Sequence, residues 1–402
     1  MKNIGFLKNS IQEYSWGSKT FIPQLMGEPS PSRKPQAELW MGAHPKAPSK
    51  IFFDGKWRSL TELIQENAED ILGPSIARKF EANLPFLFKI LASAKPLSIQ
   101  AHPTKKEARE GFARENLEKI PLNASHRNYK DQNHKPEIFC ALTSLMALKG
   151  FRRIEDIIKS MDKIGISTQE LGIDILRTHP DQKGLKGFFH AMMTMDRGRQ
   201  RHVVNEVVAC SARFSETDQI SKWVLRLNDE YPGDIGVLSP ILLNVVRLNP
   251  GEAIHIPAGE LHAYLEGVGL ELMASSDNVL RGGLTSKHVD VPELLKILDF
   301  QYHKVEILRP ESQETGEYLY PKVSEDFILS MIPLDRGSIY KSPRRRSVEI
   351  MICMEGDAYI TDLGIGDILD LSKGTSVIIP AAVKQYRLEG VSTVYKAAVP
   401  LF

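Results

Sequence analysis

Gln100 and His102 stand one residue apart in the stretch LSIQAHPTKKEA, directly before a proline. On an extended strand alternate side chains share a face, so this amide and imidazole project together while Ala101 points away. Inside a small cavity such a pair suits metal coordination. His262, in GELHAYL, supplies a second imidazole from a distant part of the chain. Glu137, in NHKPEIF, supplies a carboxylate. It follows a proline and opens an apolar, strand-like run, where an unpaired charge is costly to bury. Two neutral imidazoles, a carboxylate and an amide oxygen form a mixed nitrogen–oxygen donor set. It lacks thiolate, unlike a structural zinc site, and suits Zn2+, Fe2+ or Mn2+. The competing use of the first pair is local: Gln100 bonding to backbone and His102 capping the helix that begins near Thr104.

An internal repeat separates folding needs from chemical ones. GEAIHIPAGELHAYL begins at Gly251 and GTSVIIPAAVKQYRL at Gly374. Each places a proline six positions on, Pro257 or Pro380, after alternating apolar residues, and each carries a tyrosine further on, Tyr264 or Tyr386. Glycine and proline shape a turn between strands, so both copies need them. The second copy has Ala382 and Gln385 where the first has Gly259 and His262. The histidine is therefore dispensable for folding, which points to a ligand role in the first copy. The first copy resembles the second motif of the cupin superfamily, with Glu266 in place of the usual asparagine. The second repeat reads as lacking counterparts of both His262 and Glu137.

These side chains need strands to present them. PSKIFFDG and PLSIQAHP read as strands bounded by turn residues. Capping boxes at Ser59/Glu62 and Thr104/Glu107 open two helices. The polar stretch from Pro121 to Lys135 has no periodicity and reads as a loop; PEIFCALTSLMALKG reads as two strands or a hairpin. From about Phe151 the pattern turns helical. Ile154, Ile157, Ile158 and Met161 form one stripe, Val203, Val204, Val207 and Val208 a second, and Ile220, Trp223, Val224 and Leu227 a third. The stripes are expected to be packing faces, and the insertion they build is expected to shape the mouth of the site. YPGD ends this region, and beyond about Phe300 the chain is nearly all strand-like, with glycine and proline punctuation that suits a sandwich or barrel.

Composition narrows the function. The 402 residues carry a formal net charge of +1 and 42% hydrophobic residues. That is enough for more than one core and argues against a dedicated nucleic-acid or membrane surface. SPRRRS, from Ser342 to Ser347, reads as a solvated loop. Cys140, Cys210 and Cys353 have no paired spacing, as expected of reduced thiols in the cytoplasm. The N-terminus lacks the apolar core of a signal peptide, and no run approaches the ~20 apolar residues of a membrane span. No GxGxxG or Walker A pattern is present, so a nucleotide cofactor is not expected.

Several segments, in order, look like those of type I phosphomannose isomerases: QAHP, NHKPE, IPAGELHAY and ASSDNVLRGGLTSKHVDV, supported by AELWMGAHPKAPS, ALKGFR and YPGDIGVLSP. The resemblance spans nearly the whole chain. It implies a mainly β protein of two cupin-type jelly-roll barrels with a helical domain: residues 1–150 and 237–300 as the catalytic barrel, 151–236 as the helical insertion, and 301–402 as a degenerate second barrel. It implies a monomer that binds one zinc through Gln100, His102, Glu137 and His262 and interconverts mannose 6-phosphate and fructose 6-phosphate.

Moving a proton between adjacent sugar carbons passes through an enediol, whose oxygen charge needs stabilising. The family's DNVxRxGLT stretch places Arg281 there, with Gly282 at the variable position. Glu271, at the position of a family carboxylate, is the candidate base. Lys135 shares a face with Glu137 if that segment is extended and could donate or shuttle a proton; His134 is a further candidate. Ser98, on the face of Gln100, and Lys287, six residues beyond Arg281, fit the phosphate end. Two other readings compete: an Fe(II)-dependent cupin dioxygenase, and a non-catalytic sugar-binding bicupin.

Overall fold

The computed structural model describes residues 1–165 and 171–401. Two extended β-systems carry the molecule, of ten and eleven strands, with a helical layer against the first. In the ten-stranded system the strand His262–Ala274 is the spine. Its second half lies between Phe86–Ser93 and Glu137–Ala141; its first half pairs with Leu145–Phe151 and, at His262, with Gln100. One strand serves two sheets because it turns at Gly267, where φ is 116° and an added Cβ would lie 2.7 Å from the Ser144 carbonyl oxygen. Only glycine takes that bend cheaply. Glu137–Ala141 and Leu145–Phe151 are two strands that do not pair with each other: they take opposite halves of His262–Ala274 and have different second neighbours, Ala253–Ile256 and Leu243–Leu248.

The eleven-stranded system repeats this plan. Tyr386–Ala398 is its spine, turning at Gly390 with φ 140°. Ser376–Ile379 and Glu349–Asp362 take the places of Ala253–Ile256 and Glu137–Ala141. The chain's first strand, Gly5–Lys8, pairs with Ser376–Ile379 and with Lys50–Phe53, so early residues extend this later sheet. These are two cupin-type barrels with a helical insertion, and the Gly–Pro turns of the sequence repeat sit at matching places in both.

The helical stripes are packing faces. Val203, Val204, Val207, Trp223, Val224 and Leu227 are buried in one core with Phe151, Phe188 and the barrel residues Ile99 and Ala101. Burying each such side chain contributes ~1.5–3 kcal/mol. Aspartates cap three of the helices: Asp181, Asp196 and Asp218 accept from the backbone N–H of Gly184, Arg199 and Ser221. The Thr104/Glu107 capping box forms in full, whereas Ser59 starts its helix without a side-chain bond. Because Thr104 caps that helix, His102 is left for other work. Among the described residues no helix is long and apolar enough to cross a membrane.

Candidate metal centre

Strand geometry sorts the stretch around Gln100 as alternation requires. Ile99 and Ala101 face the helical core. Ser98 and Gln100 face a cavity of about 60 Å³ that is also lined by Glu38, Lys89, Lys135, Glu137, His262, Tyr264 and Glu271. His102 follows and is fully buried. Its Nε2 lies 3.1 Å from Glu137 Oε1, and His262 Nε2 lies 3.7 Å from Glu137 Oε2. The ligand atoms of His102, Glu137 and His262 all fall within 4.8 Å of one another. Gln100 is the cross-strand partner of His262, which brings the amide to the same place.

Second contacts orient both rings. His102 Nδ1 lies 2.8 Å from the Asn278 carbonyl oxygen, and His262 Nδ1 lies 3.1 Å from that of Glu260. A carbonyl only accepts, so each ring carries its proton on Nδ1 and leaves the Nε2 lone pair available. His102 Nε2 is buried and has no hydrogen-bond partner, a state that is costly unless something else binds it. Burial, then the Lys135 ammonium, lowers the His102 imidazole to about 4, and burial lowers His262 as well. Both rings are therefore neutral near pH 7. Burial alone would raise the Glu137 carboxyl, but Lys135 and His102 outweigh it and hold it well below the usual range. Two neutral imidazoles, an ionised carboxylate and a nearby amide fit a divalent cation.

The remaining expected residues divide into two groups. Lys135 donates to Glu137 Oε1 at 2.8 Å, on the shared face that spacing requires. Glu271 is buried in the same cavity; burial raises its carboxyl, opposed by Lys89, whose ammonium donates to it at 2.7 Å. Ser98 accepts from Gln100 Nε2 at 3.3 Å. Arg281 and Lys287 do not line this small cavity. Arg281 sits on the next strand as the register partner of Gln100, half-buried and without an ion pair among the described residues; burial lowers its guanidinium. Lys287 lies on the exposed segment that follows. Burial lowers its ammonium, as do the charges of Arg281 and Lys46. His134 turns away to Asp326, at 2.8 Å, in a larger cleft of about 620 Å³ where, among the described residues, no three ligand atoms meet as those of His102, Glu137 and His262 do.

Two sets of residues escape sequence reasoning. Glu38 and Lys89 reach the cavity on neighbouring strands, with Lys89 Nζ 3.6 Å from Glu38; Glu38 lies in AELWMGAHPKAPS, which served only as a resemblance, and no motif covers Lys89. Lys46 and Lys130 bring further positive charge near Arg281: burial lowers Lys130, as do Lys46 and Arg281. The signal for Lys46 was present in GAHPK, which served only as a resemblance. YPGD gains a physical role. Asp234 accepts from the backbone N–H of Gly236, Leu284 and Thr285 and so ties the helical layer to the strand end beyond Arg281.

The fold and site define a bicupin in which one barrel is built to hold a metal. Residues 5–154 match the description "Phosphomannose isomerase type I, catalytic domain" and residues 160–243 match "Phosphomannose isomerase type I, helical insertion domain". The chain is 40% identical to mannose-6-phosphate isomerase of Escherichia coli over 354 residues, covering 88% of this chain and 89% of that one. It is 34% identical to the Homo sapiens mannose-6-phosphate isomerase over 87% of each chain. A crystal structure of mannose 6-phosphate isomerase described as "holo; zinc bound" superimposes with TM-score 0.90 at 37% identity, covering 99% of this chain and all of that one. A variant of phosphomannose isomerase from Salmonella typhimurium gives TM-score 0.91 at 36% identity over the same shares. The chain belongs to the type I phosphomannose isomerase family.

Proposed function

We propose that this chain is a zinc-dependent mannose-6-phosphate isomerase, interconverting mannose 6-phosphate and fructose 6-phosphate by proton transfer between C1 and C2. The observation that carries this reading is the convergence of His102, Glu137 and His262 within 4.8 Å, in a chain 40% identical to a mannose-6-phosphate isomerase. His102 and His262 hold zinc through Nε2, Glu137 through its carboxylate and Gln100 through its amide oxygen, one zinc per chain. Bound zinc supplies a Lewis acid that orients and polarises the sugar's oxygens.

The chain's own residues do the rest. Glu271 is the base that carries the proton between the two carbons, kept dry by burial and held in place by Lys89. Lys135 holds Glu137 and serves the sugar oxygens as a donor. Arg281 cannot readily give up its proton, so it stabilises enediolate charge without quenching it. Ser98 and Lys287 receive the phosphate at the positive mouth, where Arg281 and Lys46 add to the field. The enzyme works as a monomer in the cytoplasm, in keeping with its free cysteines.

A coupled assay of mannose 6-phosphate conversion tests the reading. Chelation should abolish turnover, and zinc should restore it without oxygen uptake. Full activity in thoroughly metal-free protein, or oxygen consumption with Fe(II), would refute it.

A further inference from the structure

We infer that Asn278 is a positioning residue for this reaction: its side chain fixes the segment that carries Lys135 and Glu137, and its carbonyl sets the tautomer of His102, so that zinc affinity and turnover depend on a residue that touches neither metal nor sugar. The inference rests on the function proposed above. It concerns a segment with no regular structure, running from about Pro121 to Lys135. Backbone groups in such a segment must find partners elsewhere.

Asn278 supplies them. It is fully buried. Its Oδ1 accepts from the backbone N–H of Lys130 at 2.6 Å and of Asp131 at 3.2 Å. Its Nδ2 donates to the carbonyl oxygens of Asp131 at 2.9 Å and Asn133 at 2.8 Å, and to Asp131 Oδ1 at 3.2 Å. The donor and acceptor capacity of the amide is used on one short segment. Lys135 and Glu137 lie two and four residues beyond Asn133.

The same residue reaches the other side of the site through its main chain. Its carbonyl accepts from His102 Nδ1–H at 2.8 Å, leaving Nε2 facing Glu137. Arg281 stands three residues further on. Asp131 closes the latch, its carboxylate accepting from Ser276 Oγ at 2.9 Å, Asp277 N–H at 2.8 Å and Asn133 N–H at 2.9 Å. Aspartate at 278 would lose both donors and put a second carboxylate beside Asp131. Alanine would leave buried backbone groups unpaired.

The test titrates zinc into metal-free wild type, Asn278→Ala, Asn278→Asp and Ser276→Ala, with kcat and KM then read at saturating zinc. Asn278→Ala should bind zinc roughly 10- to 100-fold more weakly, the cost typical of removing a residue that orients metal ligands. At saturating zinc its kcat should fall by about tenfold or more with KM changed by less than about threefold, the pattern of a disturbed transition state and not of lost ground-state binding. Asn278→Asp should give no rescue. Ser276→Ala should shift zinc affinity in the same direction by less, and it decides the matter should Asn278→Ala not fold. Lowered thermal stability with wild-type zinc affinity and kcat would overturn the inference while leaving the functional reading intact. A wild-type chain that neither binds zinc nor turns over would overturn both.

Discussion

In the first barrel Glu137 opens a strand opposite Ile256 and Met273; in the second, Glu349 opens its strand opposite Ile379 and Ala398. The register is the same, and so is a tyrosine hydroxyl donating to each carboxylate: Tyr264 at 3.1 Å and Tyr386 at 2.8 Å. The partners differ. Glu137 meets two neutral imidazoles and Lys135, whereas Glu349 meets Lys396 Nζ at 3.6 Å and Arg346 at 3.4 Å. Lys396 stands where the first barrel has Glu271: Phe139 faces Glu271 across the sheet as Met351 faces Lys396. It also donates to Glu317 at 2.7 Å, while the Tyr340 hydroxyl donates to the other Glu317 oxygen at 2.9 Å. The second barrel thus closes its charges internally, two carboxylates against an ammonium and a guanidinium. The first sets three carboxylates, Glu38, Glu137 and Glu271, against two ammonium groups, Lys89 and Lys135, and keeps two unprotonated Nε2 atoms beside Glu137. One frame therefore gives a filled polar core or a metal seat, depending on whether a guanidinium and an ammonium or two neutral imidazoles and an ammonium meet the strand-opening carboxylate.

The contrast can be broken most severely at His262. His262→Ala should remove both bound zinc and turnover; normal zinc content by elemental analysis would end its assignment as a ligand. Arg281→Ala separates metal holding from charge stabilisation. Zinc should stay near one per chain while kcat falls roughly 10²–10³-fold, the usual cost of losing a donor to developing oxyanion charge. An equal loss of zinc would place Arg281 in the metal's support instead.

Lys396→Met asks the matching question of the second barrel. It leaves buried carboxylates short of a cation and should cost ~3–5 kcal/mol of stability in denaturant melts. Zinc stoichiometry and the kcat of the folded protein should not change. A second zinc equivalent in this variant would show that the two seats are closer than their ligands suggest. Ser98→Ala carries the smallest effect. KM for mannose 6-phosphate should rise by roughly threefold to tenfold with kcat held, because a single neutral hydrogen bond to phosphate contributes ~0.5–1.5 kcal/mol.

How much of this could be read from the chain alone depended on the distance over which each signal acts. The Gly–Pro turn, the alternation at Gln100 and His102, and the missing histidine at Gln385 are local, and local patterns survive in a sequence. The helical stripes of Val203–Val208 and Ile220–Leu227 are periodic and equally legible. The carboxylate at Glu349 was read as absent, because Val348 replaces the proline that flags Glu137 and only the strand register aligns them. Glu38 and Lys89 were missed because they reach the cavity by pairing between strands about 50 residues apart; even within AELWMGAHPKAPS, nothing local gives Glu38 a partner. The attachment of Gly5–Lys8 to the later barrel is a pairing across most of the chain, invisible to any window.

The account stands on a single divalent ion held by separated segments inside the first barrel. A crystal of the zinc-loaded protein, with anomalous data above and below the zinc absorption edge, tests this most directly. One peak is predicted within bonding distance of His102 Nε2, His262 Nε2, a Glu137 oxygen and the Gln100 amide oxygen, with none beside Glu349. A sole peak elsewhere, or equal peaks in both barrels, would contradict it.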